Sequence, residues 1–151
     1  MRSAFERGVT LIELVISIVV VAIAASAVLG VLARSAETSA DAMVLSQAVS
    51  TATAYLEEIT LKPFVDPDGV EPEAGRASFD DVADYDGLVD VGARDQFGNA
   101  LPALAGYTVR VTVTPSTALA GVPSTDAVRV DVRVTFPPSV DLTLSAYKTR
   151  Y

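Results

Sequence analysis

The sequence predicts an α+β protein, in which a long N-terminal helix packs on a C-terminal antiparallel β-sheet of three to four strands. Two observations predict the helix: an uncharged apolar run over residues 14–33, and an apolar stripe at helical spacing over residues 42–59. A third observation predicts the sheet, because apolar and polar residues alternate in three segments after residue 106. The helix therefore has a transmembrane half and an amphipathic half.

The apolar run LVISIVVVAIAASAVLGVLA, residues 14–33, contains no charged residue and no proline. A helix rises about 1.5 Å per residue, so twenty residues span a hydrocarbon core of roughly 30 Å. We therefore predict a transmembrane helix. Arg2 and Arg7 precede it and Arg34 follows it, and this excess of cations on the N-terminal side favours a cytoplasmic N-terminus through the positive-inside rule.

An amphipathic segment follows the apolar run, and its apolar residues recur at spacings of three and four. This stripe consists of Ala42, Leu45, Val49, Ala52, Leu56 and Ile59. The spacing places all six on one face of a helix, which we expect to pack against the rest of the fold. Lys62-Pro63 should end the helix, because proline lacks an amide hydrogen and disfavours helical geometry in the residue before it.

We predict that residues 63–106 form a long connection with little regular structure, because prolines, glycines and turn signals such as Asp66-Pro67-Asp68-Gly69 recur in this segment. The segment is strongly acidic, with Asp80, Asp81, Asp84 and Asp86 close together. These carboxylates could supply oxygen ligands for Ca²⁺, but their spacing does not match the EF-hand loop, and glycoside hydrolysis by paired carboxylates is more remote still. We favour a solvated surface loop held by apolar anchors, namely Phe79, Val82, Tyr85 and Leu88.

Three strands are predicted by strict alternation after this connection. Apolar residues occupy every second position from Tyr107 to Val113, from Val128 to Phe136 and from Val140 to Leu144. A period of two indicates a sheet with one buried face and one wet face. The short connections are compatible with an antiparallel meander, and the helical stripe would cover its valine and leucine face.

The composition excludes several classes of function. The chain has no cysteine and no histidine, so it cannot build a disulfide framework, a thiolate metal site or a Ser-His-Asp triad. Its net charge of −8 argues against nucleic acid as a partner, because duplex binding requires Lys and Arg to neutralise phosphates. It also lacks a phosphate-binding loop of its own. We predict no enzymatic activity, no catalytic residue, no cofactor and no metal site, and one folded unit in 151 residues.

The segment RGVTLIEL, residues 7–14, places Glu13 at the start of the apolar run. A cleaved secretory signal would explain the small residues of Ala22-Ile23-Ala24 and Ala25-Ser26-Ala27, but an ionised Glu does not suit its apolar region. In a plain single-pass anchor, Glu13 would lie at the headgroup level, where a carboxylate costs little. Either hypothesis leads to an alternative function, a membrane-anchored or Sec-secreted β-rich binding domain with no filament role.

A third hypothesis comes from a resemblance. RGVTLIEL resembles the processing motif of type IV pilins and type II secretion pseudopilins, in which a short leader ends in Gly and Glu is the fifth mature residue. The resemblance implies that a prepilin peptidase cuts after Gly8 and methylates the new N-terminus at Val9, a position where Phe is commonest in the family. It also implies that Glu13 pairs with the free amine of a neighbouring subunit. A carboxylate buried in lipid is costly unless it is paired, so each charge would compensate the other.

The succession of helix, acidic connection and sheet also resembles the pilin architecture. Within that superfamily the chain looks most like a minor pilin of the mannose-sensitive haemagglutinin (MSHA) type. The segments that carry this resemblance are YLEEI (55–59), KPF (62–64), DPDG (66–69), Arg76, FDDVADYDGL (79–88) and LSAY (144–147).

The resemblance implies a structural subunit of a type IV pilus or related secretion filament. Its expected partners are a prepilin peptidase, other pilin subunits, the inner-membrane assembly platform and membrane lipid. The chain would span the inner membrane once, with its N-terminus cytoplasmic, and would then join a filament with its C-terminal domain periplasmic or extracellular. The expected parts are a leader (1–8), a transmembrane or filament-core half of the helix (9–33), an amphipathic half (34–62), an acidic connection (63–106) and a sheet (107–151).

Overall fold

A computed structural model describes residues 9–69 and 72–150, apart from the side chains of residues 36–40. The helix α1 (Leu11–Leu61) comes first, and three short 3₁₀ turns and four strands follow it. The strands are β1 (Val89–Val91), β2 (Thr108–Pro115), β3 (Ala127–Phe136) and β4 (Val140–Thr149). This α+β layout confirms the fold class predicted from the sequence. The chain divides into two compact units, Met1–Asp41 and Ala42–Tyr151, and the boundary between them falls inside α1.

The first unit presents an apolar surface. Leu11–Ser35 has a mean hydropathy of 2.9 and, within the described residues, is the one helix long and apolar enough to cross a membrane. None of its residues is buried by the rest of the chain. Leu11 is 81% exposed and Leu29 is 66% exposed. Since water does not favour so much apolar surface, lipid or other protein subunits must cover this segment.

The second unit contains an antiparallel meander. The strands lie in the order β1-β2-β3-β4, so each strand pairs with its neighbour in the chain. The register aligns Val111 with Val132, and Val132 with Leu144. Alternate residues therefore line up across the strands and give the sheet one valine-rich face.

The core of the second unit forms between this valine-rich face and the last turns of α1. Fully buried residues come from both sides: Val109, Val130, Val132 and Val134 from the sheet, and Ala48, Ala52 and Ile59 from the helix. Alanine at two of the helical positions lets the backbone approach the sheet closely, because it adds only a methyl group to the contact. The Tyr107 hydroxyl also donates to the side-chain oxygen of Gln47, at 2.8 Å.

The helix ends at Leu61, as Lys62-Pro63 predicted. The predicted stripe is partly wrong, however. Ala52 and Ile59 are buried and Leu56 is partly buried, but Leu45 and Val49 are 49% and 39% exposed, and Ala42 is also exposed. The buried face instead contains Ala48, Thr51 and Tyr55. The face was misplaced because a small residue, a hydroxyl and an aromatic residue with a polar tip pack against the sheet where larger aliphatic side chains were expected.

The connection over residues 63–106 includes a few short regular elements. It contains the strand β1, which extends the sheet to four strands, and the 3₁₀ turns Arg76–Ser78, Ala83–Tyr85 and Pro102–Leu104. Each of these elements has only three residues, so most of the described part of the connection is irregular, as predicted, and β1 supplies the fourth strand. The four apolar anchors behave as predicted: Val82 and Tyr85 are buried in the core, and Phe79 and Leu88 pack against it.

Candidate functional site

The predicted processing site lies at the start of α1. Gly8 falls outside the described residues, whereas Val9 and Thr10 precede the first helical residue, Leu11. Glu13 lies in the first turn and is exposed. Its neighbours Ile12 and Leu14 are 64% and 55% exposed, so the carboxylate belongs to a surface that is otherwise apolar.

Thr10 caps this helix. Its side-chain hydroxyl accepts a hydrogen bond from the backbone N–H of Glu13, at 3.3 Å, and its carbonyl accepts one from the N–H of Leu14, at 3.1 Å. Thr10 and Glu13 have the Thr-x-x-Glu spacing of a capping box. A carboxylate in the first turn also favours the helix, because the helix dipole is positive at that end. Glu13 thus has a local role that needs no partner, and the sequence analysis missed it although the spacing was visible.

A second polar cluster lies inside the C-terminal unit, and the sequence analysis did not predict it. Its central residue is Arg76, which is 9% exposed and bonds the carboxylates of Glu58 and Asp90. The Tyr55 hydroxyl donates to Asp90 at 2.6 Å, and the Tyr85 hydroxyl donates to Glu58 at 2.8 Å. We call these five residues the Arg76 network.

The Arg76 network joins four separate elements of the chain. The guanidinium of Arg76 also lies over the ring of Tyr55, 4.4 Å from its centroid, in a cation–π arrangement. Two of its members come from α1, Arg76 and Tyr85 from 3₁₀ turns, and Asp90 from β1. Removing one partner of a buried ion pair typically costs about 3–5 kcal/mol, because the other charge is left uncompensated. The network therefore holds the acidic connection on the helix.

The ionisation of the network suits a structural role. Burial, and then the hydrogen bond to Asp90, raise the pKa of Tyr55 to about 12. Burial and the bond to Glu58 likewise raise the pKa of Tyr85. Burial alone would lower the pKa of Arg76, but its bond with Glu58 and contact with Tyr55 outweigh this effect and raise it. At neutral pH the tyrosines stay protonated and the arginine stays charged, so none of them is poised to transfer a proton.

The clustered aspartates mostly bind backbone. Asp84 accepts from the N–H groups of Asp80 and Asp81 at 2.8 and 3.1 Å. Asp81 accepts from the N–H of Ala83 at 2.6 Å, and Asp86 accepts from the N–H of Val113 at 2.8 Å. Carboxylates that accept backbone hydrogen bonds in this way stabilise turns.

Asp80 is the member of the cluster that lies closest to other acids. Its carboxylate lies within 4.8 Å of one carboxylate pair, Asp66 and Asp68, and of a second pair, Glu73 and Asp84. Burial and the repulsion of Asp68 raise the pKa of Asp80. Oxygen ligands at such distances are those that Ca²⁺ uses, but acidic surface groups gather in this way without an ion as well.

Comparison with known proteins gives one match. Residues 4–29 match the family model of the prokaryotic N-terminal methylation motif. Neither the curated proteins nor the solved structures give a significant match to the chain. The matched segment includes the positions of Gly8, Val9 and Glu13 and the first part of the apolar helix. This motif supports a type IV pilin-like family, whose subunits are membrane-anchored and structural rather than enzymatic, are processed by a prepilin peptidase and assemble with other pilins.

Proposed function

We propose that this chain is a prepilin, cut after Gly8 and N-methylated at Val9, which assembles as a minor subunit of a type IV pilus or a related secretion filament. One observation carries the proposal. The methylation motif over residues 4–29 lies directly on an apolar helix, Leu11–Ser35, that the rest of the chain leaves uncovered.

The proposed assembly step is electrostatic. Cleavage after Gly8 creates an α-amino cation at Val9, and methylation keeps its charge. Glu13 of an incoming subunit pairs with that cation on a subunit already in the filament. Packing of apolar side chains supplies most of the free energy, and the ion pair fixes the axial register, because an unpaired carboxylate in an apolar environment is disfavoured.

The finer assignment is to a minor pilin of the MSHA type. It rests on the segments quoted above, and four members of the Arg76 network belong to them, namely Tyr55, Glu58, Arg76 and Tyr85. Three of these segments, namely 55–59, Arg76 and 79–88, are therefore bonded together in the folded domain. The partners of this assignment are a prepilin peptidase, other pilins, the inner-membrane platform and lipid, and the C-terminal unit faces the periplasm or the outside of the cell.

Mass spectrometry of the protein from its native host tests the proposal. We expect Val9 as the first residue of the mature chain, with one methyl group added. A terminus at Ala25 or Val28 would instead indicate a secretory signal. A filament subunit that still carried residues 1–8 would contradict the proposed processing.

A single-pass anchor without a filament role is the second candidate. One observation favours it: the carboxylate of Glu13 lies in the first turn of α1, where the helix dipole favours a negative charge without any other subunit. Substitutions that separate the cap from the charge, namely Thr10→Ala and Glu13→Gln, distinguish the two candidates.

A further inference from the structure

A groove of about 850 Å³ lies in the C-terminal unit between α1 and the segment that follows β1. Leu61, Phe97, Leu101 and Leu104 form most of its apolar lining. Leu61 is 85% exposed and Phe97 is 62% exposed. Large apolar side chains grouped around a concave surface are typical of sites where another molecule binds.

The groove also carries more acidic than basic side chains, because three carboxylates line it against one cation, Arg94, which bonds the carbonyl of Gly98 and lies 3.6 Å from Asp90. Glu57 and Asp95 lie in its lining together with Glu58. Glu58 is bonded to Arg76 and Tyr85, but the carboxylate of Glu57 has no hydrogen bond or ion pair within the described residues. Asp95 accepts hydrogen bonds from the backbone of Phe97 and Asn99, at 2.9 and 2.8 Å. The bond from the side chain of Asn99 lowers the pKa of Asp95, which keeps this carboxylate charged.

The charges of the chain indicate which partner fits. An apolar groove in which carboxylates outnumber cations, and in which Glu57 is unpaired within the described residues, favours a partner that brings a cation beside an apolar side chain. In the described part of Ala42–Tyr151, every lysine and arginine except Arg110 already bonds a group of its own chain. The seven engaged cations are Lys62, Arg76, Arg94, Arg129, Arg133, Lys148 and Arg150.

A second copy of the chain is therefore a poor occupant. It would have to break an internal bond or present Arg110, and two chains of net charge −8 repel each other at long range. A different protein with free lysines or arginines meets neither obstacle.

We propose that this groove is the docking site for the soluble domain of a different filament subunit, which inserts an apolar side chain flanked by lysine or arginine. The proposal deepens the proposed function and rests on it. Phe97 and Leu61 supply the apolar contact, and Glu57 and Asp95 receive the cation. Acidic rim charges of this kind select the partner and its orientation more than they add affinity.

Photocrosslinking in the native membrane tests this docking. The full-length chain carries p-benzoylphenylalanine in place of Phe97, and a matched control carries it in place of Tyr147, which is 44% exposed on β4. We expect residue 97 to give an adduct with a different filament subunit, at a site next to lysine or arginine, and residue 147 to give little. Glu57→Lys should reduce the yield of that adduct about tenfold, while Thr143→Lys, which also introduces a lysine but on exposed β4, should not.

The outcomes separate this inference from the proposed function. Incorporation of the crosslinker variants into filaments is measured in the same cells. If the chain enters filaments and residue 97 crosslinks to a second copy, to lipid or to nothing, the docking inference is wrong and the proposed function stands. If the unmodified chain never enters filaments, the proposed function fails, and the inference that rests on it fails as well.

Discussion

Glu13 is the residue on which the proposed function depends most. The structure places it in the first turn of α1, where its backbone N–H donates to the Thr10 hydroxyl and its carboxylate suits the positive end of the helix dipole, and the pilin resemblance assigns it a charge-pairing role in assembly. The two roles make different chemical demands. A capping box accepts Gln in place of Glu, whereas pairing with an amine requires the negative charge.

Glu13→Gln therefore keeps the cap and removes the charge. We expect insertion and processing to continue, and incorporation into sheared filaments to fall about tenfold or more, because the α-amino cation loses its counter-charge. Incorporation is measured as the ratio of filament-bound to membrane-bound protein by immunoblot. Glu13→Val should act similarly.

Thr10→Ala is the matched control for this test. It removes the cap, at a cost of about 1 kcal/mol to the helix, and leaves the charge of Glu13 in place. It should incorporate nearly normally. If Thr10→Ala fails and Glu13→Gln succeeds, Glu13 is a capping residue and the anchor hypothesis is favoured.

The sheet packs tightly at Gly106, which lies two residues before β2 begins. A Cβ atom at Gly106 would lie 2.6 Å from a ring carbon of Phe136. That ring also packs against Tyr107, with centroids 4.8 Å apart, which limits how far it can move. Only glycine fits at this position without moving the ring.

Gly106→Ala should lower the free energy of unfolding by about 1–3 kcal/mol, because it overpacks this contact. Gly75→Ala is the matched control, since a Cβ there meets nothing within 4 Å and its φ of 165° is extended backbone. That variant should stay within about 0.5 kcal/mol of the parent chain. Denaturation of the full-length chain in detergent, followed by the near-ultraviolet signal of its buried tyrosines, measures both. Equal effects of the two variants would contradict the packing argument.

The elements that the sequence predicted are those with a long periodic signal. The three long strands and the end of α1 at Leu61 were predicted because alternation and Lys62-Pro63 are local features of the chain. β1 was missed because three residues, Val-Asp-Val, are too short to show a period. The helical face was misplaced because Tyr55 and Thr51 carry polar groups, and only the tertiary contacts show that they are buried.

The candidate sites also differ in whether a local signal in the sequence predicts them. The processing motif is contiguous and could be identified in the sequence. The Arg76 network could not, because its members lie up to 35 residues apart, as Tyr55 and Asp90 do. Charged residues of an acidic segment are expected in solvent, and no local pattern indicates that Asp90 and Arg76 pair in the interior.

The Arg76 network makes the stability of the C-terminal unit sensitive to alkaline pH. The pKa of Tyr55 is 10.0 in an unfolded chain and about 12 in the fold. The unfolded chain therefore releases this proton first as the pH rises. Below pH 10 the contribution to stability is complete, and it is lost as the pH rises through the folded value. Tyr85 shifts in the same direction.

We expect the denaturation midpoint of the full-length chain to decrease as the pH is raised from about 10 to 12, because these tyrosines ionise. Tyr55→Phe removes one of the two groups and should make the midpoint less dependent on pH over this range, although the variant is less stable at pH 8 because Asp90 loses a donor. Denaturation curves at several pH values measure this. An unchanged slope in Tyr55→Phe would show that the Tyr55 hydroxyl is not the titrating group.

The order of the strands has a consequence for biogenesis. A polypeptide that crosses a membrane emerges progressively, and in this sheet every strand hydrogen-bonds only the strand that emerges just before or just after it. If the C-terminal unit crosses the membrane as the proposed function requires, its hairpins can close one by one, with little entropic delay. No early strand has to remain unpaired while it waits for a distant one, which limits the time during which its edge is open to aggregation.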